Sequence, residues 1–179
     1  LRHAVADFVD RISGAHEARR IVTGHQADGT SVVLSDGRPP RYEHFGDLTY
    51  IEVWRSKTAP AVLASGMATE PTDGPLTLAQ PGGSVFRLVD YLPASMGGHR
   101  TPMHRTATLD YCIVLQGEIV LILDKSEVML KAGDVVVQQG ANHAWENRSN
   151  RLARIAFVML DATFSPALRS VLHGPEIVP

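Results

Sequence analysis

The sequence predicts a single all-β domain, a sandwich or closed barrel, on three observations. About eight or more short β-type runs, separated by Gly, Pro, Asp and Asn, follow Arg20. No helical stretch of about ten residues or longer separates any two of them, so an alternating βαβ architecture is not expected. The chain has 179 residues, a length suited to one domain that buries roughly 70% of its unfolded surface.

The elements follow in order. In the first twenty residues, Ala4, Val5, Phe8, Val9 and Ile12 recur at helical spacing with Asp7, Asp10 and Arg11 on the other side. This predicts an N-terminal arm over 1–20, a short helix or extended segment ending near Ser13 and Gly14. A barrel is expected over 21–161 and a tail over 162–179. Ile21 to Thr23 and Ser31 to Leu34 flank the turn Ala27-Asp28-Gly29-Thr30. Further strands are expected at Leu48 to Trp54, Val85 to Tyr91, Tyr111 to Leu115, Glu118 to Leu123, Glu127 to Leu130, Asp134 to Gln138 and Leu152 to Leu160. Between Ser56 and Gly83, Pro60, Pro71, Gly74, Pro75 and Pro81 mark a long loop, with one short strand expected at Leu76 to Leu78. Loops of that length commonly serve as lids or subunit contacts. Ser165-Pro166 reads as an N-cap and first helical residue, opening a short helix over Ala167 to Leu172.

Composition narrows the function. The 17 basic and 19 acidic side chains leave a formal charge of −2, which offers no basic surplus for nucleic acid. A single cysteine, Cys112, excludes an intramolecular disulfide and a cysteine-rich zinc site. Apolar runs such as Ile119 to Leu123 fall far short of the ~20 residues of a membrane span. No unbroken apolar stretch follows the first residues, so no secretory signal is expected. The expectation is a cytoplasmic protein without nucleic-acid or membrane partners.

Of eight histidines, His3, His16 and His173 lie in terminal segments, and His25, His44 and His99 sit beside turns. His104 and His143 stand in richer settings. Around the first, His104, Thr106 and Asp110 are separated by even numbers of residues, so an extended chain can turn them to one face. By the same parity His143 faces the same way as Trp145, and Cys112 the same way as Asp110. Two imidazoles and one carboxylate can thus meet at an interior point.

These stretches resemble the cupin family. Its first motif runs Gly, five residues, His-x-His, three or four residues, Glu, six residues, Gly. Gly98, His104, Asp110 and Gly117 fall on that frame. Its second motif runs Gly, five residues, Pro-x-Gly, two residues, His, three residues, Asn. Gly133, Gly140, His143 and Asn147 match it with one residue missing before the Pro position. The motif core spans 98–147. Three departures stand out: Thr106 replaces the second His, Asp110 replaces Glu, and Gln138 falls where Pro is usual.

The resemblance implies an antiparallel cupin barrel, or jelly roll, with a small organic substrate held inside. It also implies one divalent metal ion (Fe, Mn, Zn or Ni) on His104, Asp110 and His143. Two His and one carboxylate have the composition of a non-haem iron triad with open positions. Against this, Asp is about 1.5 Å shorter than Glu, while metal distances tolerate only ~0.2 Å. Thr106 would be a hydrogen-bonding neighbour of that set, with Trp145 and Cys112 as pocket candidates. Asp110 and His143 are the candidate catalytic groups. The expected activity is a metal-dependent oxidoreductase, leaning to a dioxygenase. The alternatives are a metal-dependent or metal-free lyase or isomerase (decarboxylase, dehydratase or cyclase), in which a hydrogen-bonded cluster does acid–base work, and a non-catalytic binding module. A homodimer is also implied.

Overall fold

The computed structural model describes residues 17–66, 71–72 and 76–177. The amphipathic pattern expected in the first sixteen residues lies outside them. Among the described residues thirteen strands follow in order. They are β1 (Arg20–His25), β2 (Ser31–Gly37), β3 (Arg41–Phe45), β4 (Leu48–Ser56) and β5 (Ser84–Tyr91). Next come β6 (Arg105–Thr106), β7 (Thr108–Gln116), β8 (Glu118–Leu123), β9 (Glu127–Lys131) and β10 (Val135–Gln139). β11 (His143–Glu146), β12 (Ala153–Asp161) and β13 (Glu176–Ile177) complete the set, with a short helix, α1 (Pro166–Arg169), between the last two.

Two sheets carry the fold. The larger has the order β10-β7-β12-β5-β4-β3, the smaller β11-β8-β9, and neighbours in both run antiparallel. β1 and β2 form a separate hairpin whose turn Asp28 braces by accepting a hydrogen bond from the Thr30 backbone N–H. The molecule is a jelly roll, but strand pairing does not close the two sheets into one continuous ring. A single bridge between His104 and His143, with backbone bonds of 2.9 and 2.8 Å, joins β11 to the segment leading into β6.

Alternation explains the core between the sheets. Cys112 and Val114 of β7, Val85 and Val89 of β5, and Ile155 and Phe157 of β12 turn inward. Ile119, Leu121 and Trp145 meet them from the smaller sheet. Gly117 makes the tight connection from β7 to β8. It holds a φ of +73°, and a Cβ there would stand 2.3 Å from the Leu152 carbonyl oxygen, so only glycine is accommodated.

Two expectations about the connections change. No strand forms at Leu76 to Leu78. The Thr77 carbonyl is satisfied by the Arg87 guanidinium rather than by a neighbouring strand. The terminal helix is one turn, capped as expected by the Ser165 hydroxyl, which accepts from the Leu168 N–H. The tail then returns: β13 pairs in parallel with β6, so residues after 161 fold back onto the domain.

Candidate active site

β7 and β10 are neighbours, and their register sets Asp110 directly opposite Gln138. Both side chains turn inward and are buried. β11 presents His143 and then Trp145 on the same face, and the bridge described above brings His104 alongside. The two imidazole rings lie 4.4 Å apart between centroids, tilted by 50°.

The polar contacts form one network. The Gln138 Nε2 donates to Asp110 Oδ2 at 3.1 Å and lies 3.2 Å from His143 Nε2. His143 Nδ1 lies 2.9 Å from the Ala141 carbonyl, and His104 Nδ1 stands equally close to the Pro102 carbonyl. A carbonyl only accepts, so each Nδ1 carries the proton, and Nε2 of a neutral ring is left as an acceptor. The Thr106 and Thr108 hydroxyls are 2.7 Å apart. Asp110 Oδ1 and Gln138 Oε1 are buried without a hydrogen-bond partner.

Burial shapes the ionisation. It raises the Asp110 carboxyl above the ordinary carboxylate range, opposed by hydrogen bonds from Thr108 and Gln138 and by the positive field of Arg87. It lowers His143 to about 4, because a charged imidazole loses its hydration there. The site therefore holds a neutral imidazole beside a carboxyl of increased basicity.

A cavity of about 580 Å³ opens onto this network, within the range of small-molecule sites. Tyr50, Tyr91, Trp145, Phe157 and Met159 form much of its apolar wall. Trp145 packs edge-on against both His143 and Phe157. Arg87 lines the cavity while paired with the buried Glu52 at 3.1 Å. Thr77, Pro175 and Ile177 bring the long loop and the returning tail to its rim.

His104, Thr106, Asp110, His143 and Trp145 all line this cavity. Cys112 does not. It shares the inward parity of Asp110 but lies one step further along β7, within the core among residues such as Val114 and Phe157. Burial pushes its thiol pKa well up, so it is a small core residue and not a nucleophile. Thr106 pairs with Thr108 and makes no hydrogen bond to either imidazole. Gln138, Thr108 and Arg87 were missed as site residues. The inward alternation of β7 and β10 signals the first two, but Gln138 entered only as the last residue of an expected strand, at the position of the family's proline.

The arrangement does not fit the expected ion. Among the described residues, no three His, Cys, Asp or Glu side chains converge to hold a metal. The Gln138 amide stands between Asp110 and His143, and its nitrogen faces Asp110 Oδ2 and His143 Nε2, two atoms that would otherwise serve a cation as ligands.

Comparison with known proteins follows the same lines. A family model described as the cupin domain matches residues 94–159. The chain is 40% identical over 152 residues to phomopsin biosynthesis cluster protein C' of Diaporthe leptostromiformis, covering 80% of this chain and 78% of that one. It is 30% identical over 161 residues to the cupin-domain-containing oxidoreductase fogC of Aspergillus ruber, covering 84% and 75%. A cupin 2 conserved barrel domain protein from Salinispora arenicola is similar at a TM-score of 0.46 and 17% identity, over 68% of this chain and 82% of that one.

Proposed function

This chain belongs to the cupin family, and on that premise we propose that it is an oxidoreductase-type enzyme acting on a small, mostly apolar organic molecule held between its sheets. The names of relatives such as fogC support the reaction class. The observation that carries the reading is the placement of Asp110: a buried carboxyl of raised pKa on the wall of an apolar cavity, beside a neutral imidazole.

Oxidation of an organic hydroxyl or activated C–H group releases a proton along with the electrons. Asp110 accepts that proton, and its raised pKa makes it a better base than an exposed carboxylate. The aromatic walls hold the apolar body of the substrate and exclude water, which strengthens every polar contact inside. His104 Nε2 is free to hydrogen-bond a substrate hydroxyl, since its Nδ1 is occupied by Pro102. In the dioxygenase form both atoms of dioxygen enter the product and Asp110 returns the proton to it. In the oxidase form dioxygen takes up two electrons and two protons, one of them through Asp110, and leaves as hydrogen peroxide.

The test is dioxygen uptake by the purified chain with catechol-like and keto-acid substrates. Turnover with uptake is expected, and Asp110→Asn should lower it about 10²–10⁴-fold, the usual worth of a positioned base. Turnover without uptake would instead make the chain a lyase or isomerase using the same base. Binding without turnover would make it a binding module. Full activity in the Asn variant would remove Asp110 from the chemistry.

A further inference from the structure

We propose that the Gln138 amide takes the place of a divalent cation in this site, so that the chain holds its carboxyl and imidazole together without a metal. This deepens the reading of the pocket as an active site and rests on it only for the role of Asp110 and His143.

The geometry is that of a bridge. One nitrogen, with two hydrogens to give, stands 3.1 Å from Asp110 Oδ2 and 3.2 Å from His143 Nε2. Because Ala141 fixes the His143 proton on Nδ1, Nε2 offers only a lone pair. The carboxylate oxygen also accepts. Two acceptors therefore call for a donor between them, and this sets the amide orientation. The reversed amide would turn Oε1 toward two atoms that have nothing to donate.

A metal bound to His143 Nε2 and Asp110 Oδ2 needs those atoms at about 2.0–2.2 Å, from the space into which the amide hydrogens now point. The partial positive charge of the N–H groups does the positioning work of a cation, and at 4% exposure Gln138 has little solvent to turn toward. Asp110 is one methylene shorter than the family's Glu, and the long Gln138 arm, directly opposite in register, reaches across to it. Gln138 is a positioning residue: it acts on the reaction by holding Asp110 and His143.

The experiment is a titration of the chelator-treated chain with Co²⁺ and Zn²⁺, followed by calorimetry and by Co²⁺ absorption. The wild type should take up no stoichiometric metal at micromolar concentration. Gln138→Glu keeps the shape but turns the bridge into a third acceptor, and should take up about one equivalent that is lost again in Gln138→Glu/His104→Ala. Uptake of one equivalent by the wild type that disappears in Gln138→Ala would overturn the proposal and make Gln138 a ligand. Failure of a folded Gln138→Glu to bind metal would overturn it too.

Should that variant not fold, amide NMR of the wild type decides. The Gln138 side-chain NH₂ signals should be unmoved by Zn²⁺, and a stoichiometric shift contradicts the proposal. None of these readouts depends on turnover, so failure of the proposed activity is seen separately.

Discussion

At position 143 a single imidazole carries two demands, and burial settles them in favour of the neutral ring. Its folded pKa of about 4 lies below the ordinary value of 6.5, so the unfolded chain binds the proton first as pH falls. Stability from this group is complete above about pH 6.5 and is lost progressively toward pH 4. Urea unfolding between pH 7 and 4.5 should show the wild type losing stability more steeply than His143→Gln, by up to one proton in the slope. Parallel slopes would show that the ring protonates freely in the fold. Parity along the chain was sufficient to turn His143 and Asp110 inward, because alternation is a property of the strand itself. It could not say that a glutamine on the neighbouring strand would bridge them. That depends on the register of β10 against β7, which is set by the whole sheet.

Among the elements, β4 and β5 do more than complete the sheet. Glu52, fully buried on β4, faces Arg87 of β5 in register and is also paired with Arg55. Arg87 in turn holds the Thr77 carbonyl, which fixes the long loop against the cavity. Glu52→Ala leaves Arg87 buried without its counter-charge, and should cost about 3–5 kcal/mol in chemical denaturation. A cost below about 1 kcal/mol would show that the pair is dispensable. The longer strands were legible because β-branched and aromatic residues alternate over five or more positions. β6 and β13 were not. Each has two residues and exists only because the tail returns to pair with the loop before β7. β11 opens on a histidine and spans four residues, too few for a period to show.

For the molecule as a whole, the cavity is a product of closure by distant segments. The sheets supply its walls, while Pro175 and Ile177 of the tail complete its rim. Removing residues 174–179 should weaken binding of an apolar probe several-fold, read through Trp145 fluorescence, with little change in the unfolding midpoint. Unchanged probe affinity would place the tail outside the binding site. No helix among the described residues is long and apolar enough to cross a membrane. The family and the jelly roll were legible in the glycine and histidine spacing, because those glycines mark turns that the fold cannot make otherwise. The metal implied by that spacing rests on a family donor set from which this chain departs at Thr106, Asp110 and Gln138.

Long-range ¹H–¹⁵N NMR on histidine-labelled protein reads the histidine end of the amide bridge that holds Asp110, the proposed proton acceptor, without knowledge of the substrate. His143 should show a protonated Nδ1 and a bare, hydrogen-bonded Nε2 from neutral pH down to about 5, titrating only near 4. A ring that titrates near 6.5, or that carries its proton on Nε2, would mean that the amide bridge to Asp110 does not exist as described.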